Sequence, residues 1–160
     1  MVSMFEQRFP SRQCVMASVA VTLALLGTAP AHAQTVMAVC TDPKGRGFET
    51  TPSKGWVFNR LKNATLMFTR DRAGKPDILI RDAARSVSLA RDGAKLSVTH
   101  HSRDYSYFII TAVYQQAQVD TFQVTYLPNG KGRLVWTSVR SHLPPRDETR
   151  ATFLVAECSH

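Results

Sequence analysis

The chain has 160 residues, with 20 Lys and Arg against 12 Asp and Glu, a formal charge of +8, and 44% hydrophobic residues. That length supports one domain of common size rather than two, and no apolar run reaches the roughly 20 residues a membrane-spanning helix requires. The basic balance points to anionic partners and away from basic ones.

In chain order, the first 33 residues come in three zones. Arg8 and Arg12 lie in a polar start, an uncharged apolar run follows from Val15 to Leu26, and small residues lead to Ala31-His32-Ala33. This is the pattern of a secretory signal peptide, with cleavage expected before Gln34. Cys40 follows Val39 and Cys14 precedes the apolar run, so neither stands where a lipid-anchored cysteine would. The expected product is residues 34–160, one β domain, periplasmic or secreted. It keeps 18 Lys and Arg against 11 Asp and Glu, a formal charge of +7. With Cys14 removed, Cys40 and Cys158 remain near opposite ends of the chain, in a compartment where disulfides persist. Closing so long a loop stabilises a fold by roughly 4–5 kcal/mol in the chain-entropy account.

Short apolar or alternating runs then succeed one another, separated by turn chemistry. Strands are expected over 35–39, 55–58, 64–70, 77–83, 86–90, 95–101, 105–115, 119–126, 134–141 and 151–158. Asp71-Arg72-Ala73-Gly74, Arg91-Asp92-Gly93 and Pro128-Asn129-Gly130 place Gly or Asn where a turn needs positive φ. Residues 121–126 alternate cleanly, with Phe122, Val124 and Tyr126 on the face expected to be buried. Residues 105–114 are apolar on both faces and suggest a central strand. The fold expected is all-β, a small antiparallel meander of about eight strands closed as a barrel or two-layer sandwich, its ends joined by a Cys40–Cys158 disulfide.

Residues 41–55 hold Pro43, Gly45, Gly47, Pro52 and Gly55 together with Lys44, Arg46 and Lys54. They read as a long basic loop able to wrap an anion, with Arg60 and Lys62 nearby. Trp56, Trp136, Tyr105 and Tyr107 are candidates to line an apolar pocket. No G-x-S-x-G elbow is present, and His100 and His101 are adjacent, so on a strand they face opposite ways. No catalytic residue, metal ligand set or cofactor motif is assigned, and a hydrolase using either histidine would need a nucleophile close to its ring. The expectation is a non-enzymatic module binding an anionic envelope component, whether lipid headgroup, acidic polysaccharide or envelope protein. A small barrel carrying an apolar ligand is the alternative. Nucleic acid is disfavoured by the compartment.

Overall fold

The computed structural model describes residues 34–50, 55–115, 117–141 and 148–160. The expected leader, residues 1–33, and Lys54 lie outside the described residues. Among the described residues ten strands form one antiparallel sheet: β1 (Thr35–Glu49), β2 (Gly55–Arg60), β3 (Thr65–Arg70), β4 (Pro76–Arg81), β5 (Ser86–Ser88), β6 (Lys95–His101), β7 (Tyr107–Tyr114), β8 (Gln118–Tyr126), β9 (Gly132–Ser141) and β10 (Thr149–Ser159). Their spatial order is β5-β4-β3-β1-β10-β9-β8-β7-β6, with β2 added alongside β1. The sheet curls until β6 comes near β4, giving a half-barrel. Among the described residues no helix is long and apolar enough to cross a membrane.

The curl follows from where the large side chains lie. Phe68 of β3 packs edge-on against Phe108 of β7 and Phe122 of β8, with both ring centroids 5.8 Å away. Leu66, Ile78, Ile110, Val124 and Leu134 close around them, and all are fully buried. Each such side chain stabilises the fold by about 1.5–3 kcal/mol through burial, and each aromatic pair adds about 0.5–1.5 kcal/mol. This core is the concave face. Phe122 and Val124 belong to it as the alternation of β8 requires, with Tyr126 half-buried at its edge.

β7 is not the doubly covered central strand that its composition suggests. Phe108, Ile110 and Ala112 face the core, while Ile109 and Val113 lie on the convex face, where Val113 is exposed. Residues 41–49, expected as loop, are also strand. β1 continues through Glu49, with a register shift between Thr41 and Lys44, and forms a hairpin with β2. At the shift Asp42 takes a φ of 48° and Pro43 has no N–H to offer a ladder. Asp42 is held by its N–H donating to the Ala64 carbonyl (2.9 Å) and its carboxylate accepting from the Asn63 N–H (2.6 Å). This is a β-bulge, which bends a strand without ending it.

Cys40 and Cys158 are bonded and stand directly opposite each other on β1 and β10, so the disulfide joins the near-terminal strands as expected. The Tyr126 hydroxyl donates towards the Met37 and Ser159 carbonyls at 3.3 and 2.9 Å, tying β8 to the same pair of strands. Its ring lies over Gly132, where an added Cβ would come within 2.6 Å of Tyr126 and 2.9 Å of Cys158 Cβ. Replacing both cysteines by Ala should therefore cost about 2–5 kcal/mol. Gly132→Ala should cost about 1–3 kcal/mol by forcing the tyrosine aside. Urea denaturation of the three proteins checks both, and a Gly132→Ala midpoint equal to wild type would contradict the packing described.

Candidate functional site

Beyond the bulge, β1 alternates small residues with large ones. Gly45 and Gly47 point to the concave side, while Lys44, Arg46 and Phe48 point to the convex side. The glycines let strands approach closely: a Cβ on Gly45 would lie 2.0 Å from the Phe153 carbonyl oxygen. β2 matches this pattern, because partners directly opposite in an antiparallel pair share a face. Phe48 is opposite Trp56, Arg46 opposite Phe58 and Lys44 opposite Arg60. On the other flank of β1 the same three residues face Ala151, Phe153 and Val155 of β10.

The result is an exposed ladder of aromatic and basic groups. Trp56 is 68% exposed and Phe58 73%, and Phe48 and Phe153 are also exposed. Trp56 leans edge-on against Phe48, with centroids 5.4 Å apart. Arg46 lies between Phe58 and Phe153. The Trp56–Phe48 row continues across the convex face through Ala151, Val139, Val119 and Val113. Lys44, Arg60 and Arg133 line an adjoining surface depression of about 510 Å³, together with Thr41, Asp42, Val155, Ala156 and Glu157. The Asp42 carboxylate is already engaged by the Asn63 N–H. A solvated face would ordinarily carry polar groups, so a contiguous apolar band rimmed by cations is a candidate interaction surface.

Lys44, Arg46 and Arg60 are thus brought onto one face. Lys62 is not: it sits in the turn after β2 and lines a second cleft, of about 480 Å³, with Asp82, Arg85 and Arg60, which borders both depressions. Nor are the four aromatic candidates brought together. Trp56 is on the convex ladder and Trp136 lines the concave clefts. Tyr105 stacks on His101 beneath the Arg70 guanidinium, which lies 4.3 Å from its ring centroid, and Tyr107 meets His100 edge-on. The His101 Nδ1 engages the Ser102 carbonyl (2.9 Å), whereas the Ser102 hydroxyl donates to Asp104 (2.7 Å), so this histidine and serine are not joined as base and nucleophile. Hydrogen bonds from Ser102 and Ser106 hold the Asp104 carboxyl down to about 2.

Sequence reasoning missed a second cluster, at the open end of the concave face. Asp120 is 1% exposed and accepts from the Gln118 amide at 3.1 Å on both carboxylate oxygens. The Gln118 oxygen in turn accepts from Arg140 Nε at 2.7 Å and from its Nη2. The Trp136 Nε1–H is buried with no partner at hydrogen-bonding geometry among the described residues, although the indole lies near enough to Asp120 to favour its ionised form. Burial, reinforced by the charges of Asp120 and Asp92, pushes the Tyr114 phenol well above its ordinary range. These groups border a cleft of about 530 Å³. The signal for Asp120 in the sequence was its place in β8, in phase with Phe122 and Val124 and therefore facing inward.

Burial raises the Asp120 carboxyl above the usual carboxylate range, and the opposing bonds from Ser138 and Gln118 and the Arg140 charge do not cancel it. The native state therefore holds this proton longer than the unfolded chain does. Its contribution is most favourable below the unfolded value near pH 4 and is lost as pH rises through the folded-state value. Asp120→Asn removes that loss, so the variant's urea midpoint should gain on wild type as pH increases from about 4 to 7. Parallel pH profiles would contradict it. No protein-family model, curated protein sequence or solved structure matches this chain.

Proposed function

We propose that the protein is an exported, non-enzymatic β-sheet module, periplasmic or secreted, that docks on an anionic membrane surface through the convex ladder of β2, β1 and β10. The observation that carries this reading is the interleaving of exposed aromatic rings with cations: Trp56, Phe48, Phe58 and Phe153 among Lys44, Arg46 and Arg60. Indole and phenyl rings settle at the boundary between headgroups and acyl chains, where they lose contact with water. Basic side chains beside them meet lipid phosphates, each contributing about 1 kcal/mol near an anionic surface. Arg46, set between two phenylalanines, can do both, laying its stem along apolar surface and its guanidinium on a phosphate. The leader pattern, the disulfide and the net positive charge fit a protein working outside the cytoplasm against an acidic envelope.

Rings alone would also stack on sugar faces, so lipid is favoured over acidic polysaccharide by the aliphatic row that continues from them, in which Val139, Val119 and Val113 are exposed and an acyl boundary would cover what a hydrated glycan leaves wet. Sedimentation with phosphatidylglycerol vesicles checks this, with phosphatidylcholine vesicles and polygalacturonate beads as separate arms. Wild-type protein should partition to the anionic vesicles in a salt-sensitive way. The Lys44→Ala/Arg46→Ala/Arg60→Ala variant should lose roughly a hundredfold in partitioning, from three contacts of about 1 kcal/mol each. Undiminished partitioning of that variant, or retention on the polysaccharide alone, would overturn the reading.

A further inference from the structure

The sheet has three strands with an open flank among the described residues: β5, β6 and β2. Free edges offer unpaired N–H and C=O groups to other chains, and natural proteins blunt them. β5 is only three residues long. β6 begins with Lys95, is bulged between Val98 and His100, and lies close to β4. Apart from the charge of Arg60 at its end, β2 has none of these protections. It runs six residues in unbroken register with β1 and contains no proline.

The hydrogen-bond phase shows which groups face outward. The Leu61 N–H donates to the Pro43 carbonyl at 2.9 Å, in phase with the pairs Gly45–Asn59, Gly47–Val57 and Glu49–Gly55. Antiparallel strands alternate bonded and non-bonded pairs, so the odd-numbered residues of β2 bond to β1. The even-numbered residues of β1 turn to β10, as the bond from the Thr50 N–H to the Thr149 carbonyl (3.0 Å) confirms. The N–H and C=O groups of Trp56, Phe58 and Arg60 consequently point away from the sheet.

We infer that two copies of the protein pair antiparallel through β2, about a two-fold axis passing Phe58. Self-pairing that keeps each side chain on its own face must match residues of equal parity, which restricts the axis to a residue position. An axis at Phe58 places the two Phe58 rings side by side and sets each Trp56 opposite the partner's Arg60. Both ends of the contact then gain a cation over an indole face, the most favourable aromatic partner for a cation. No two cations within the strand oppose each other, and the outward backbone groups of Trp56, Phe58 and Arg60 are those this pairing satisfies. A two-fold axis normal to the sheet keeps both convex ladders on the same side, so the dimer would present a doubled aromatic and basic face. The inference itself needs no lipid. A six-residue edge buries little area, so the association is expected to be reversible and concentration-dependent.

Variants that each add one cysteine to the protein with its Cys40–Cys158 disulfide intact, tested without lipid, decide the matter. Phe58→Cys should form a symmetric intermolecular disulfide under mild oxidation, identified by peptide mass. Val57→Cys and Asn59→Cys should link at least tenfold more slowly. Sedimentation equilibrium should show a monomer–dimer equilibrium for wild type that Arg60→Glu weakens at least fivefold, with an unchanged circular dichroism spectrum confirming its fold. A wild-type chain that stays monomeric at the highest soluble concentration, or fastest linkage at Val57, would overturn the proposal. Vesicle binding by a strictly monomeric protein would sink the pairing while leaving the surface reading intact.

Discussion

At Asp42 the backbone turns left-handed immediately before Pro43, and from that point the 15-residue β1 exchanges its neighbour β3 for β2, while β10 runs beside both halves. The hydrogen bonds that hold Asp42 to Asn63 and Ala64 fix the bend against the turn leaving β2. The disulfide lies on the core side of it, two residues before Asp42. Everything else in the arrangement depends on that division. The first half of β1 gives Ala38 and Cys40 to the core, fully buried, and the second half carries Lys44, Arg46 and Phe48 onto the surface.

The two halves have opposite logic. On the core side, large groups point inward and are held by one another, Phe68 against Phe108 and Phe122. On the outer side the inward positions of β1 and β2 are Gly45, Gly47, Val57 and Asn59, which offer one apolar side chain between them, and the aromatic groups of both strands point out. Folding gains little from placing Trp56 and Phe58 in water, since burial is what makes such rings stabilising. The proposed docking surface accounts for that position by placing something outside the monomer over them.

Much of this fold is legible in the sequence, because alternation and turn chemistry place nine of the ten strands to within a few residues, missing only the second half of β1, and compartment chemistry identifies the cysteine pair. The bulge is not. Pro43, Gly45 and Gly47 look like loop punctuation when each is taken alone, yet Lys-Gly-Arg-Gly-Phe is also a period-two pattern with glycine on one face. Glycine usually weakens a strand, so only the close approach of β10 explains its use here. A loop over 41–55 hides half of β1, whereas the expected count of about eight falls short of ten because none of the ten apolar runs merges with its neighbour or fails. Three of the basic candidates converge because the pairing of β1 with β2 is antiparallel and in phase. Lys62 diverges because it falls beyond the strand's end. Composition showed that Trp56 and Trp136 were large and aromatic, but which face each occupies is a matter of register. Asp120 was concealed by the opposite bias, a lone acid inside an apolar alternation, where burial and not charge defines its role.

The two tryptophans now provide the most direct measurement. Trp136 lines the concave side and Trp56 stands on the convex ladder, so a Trp136→Phe variant reports from Trp56 alone. Its emission should be that of a water-exposed indole in buffer, should shift to shorter wavelength with phosphatidylglycerol vesicles, and should become shielded from an aqueous quencher. Emission and quenching unchanged by those vesicles would mean that the convex ladder does not meet the membrane, and the account given for it would be wrong.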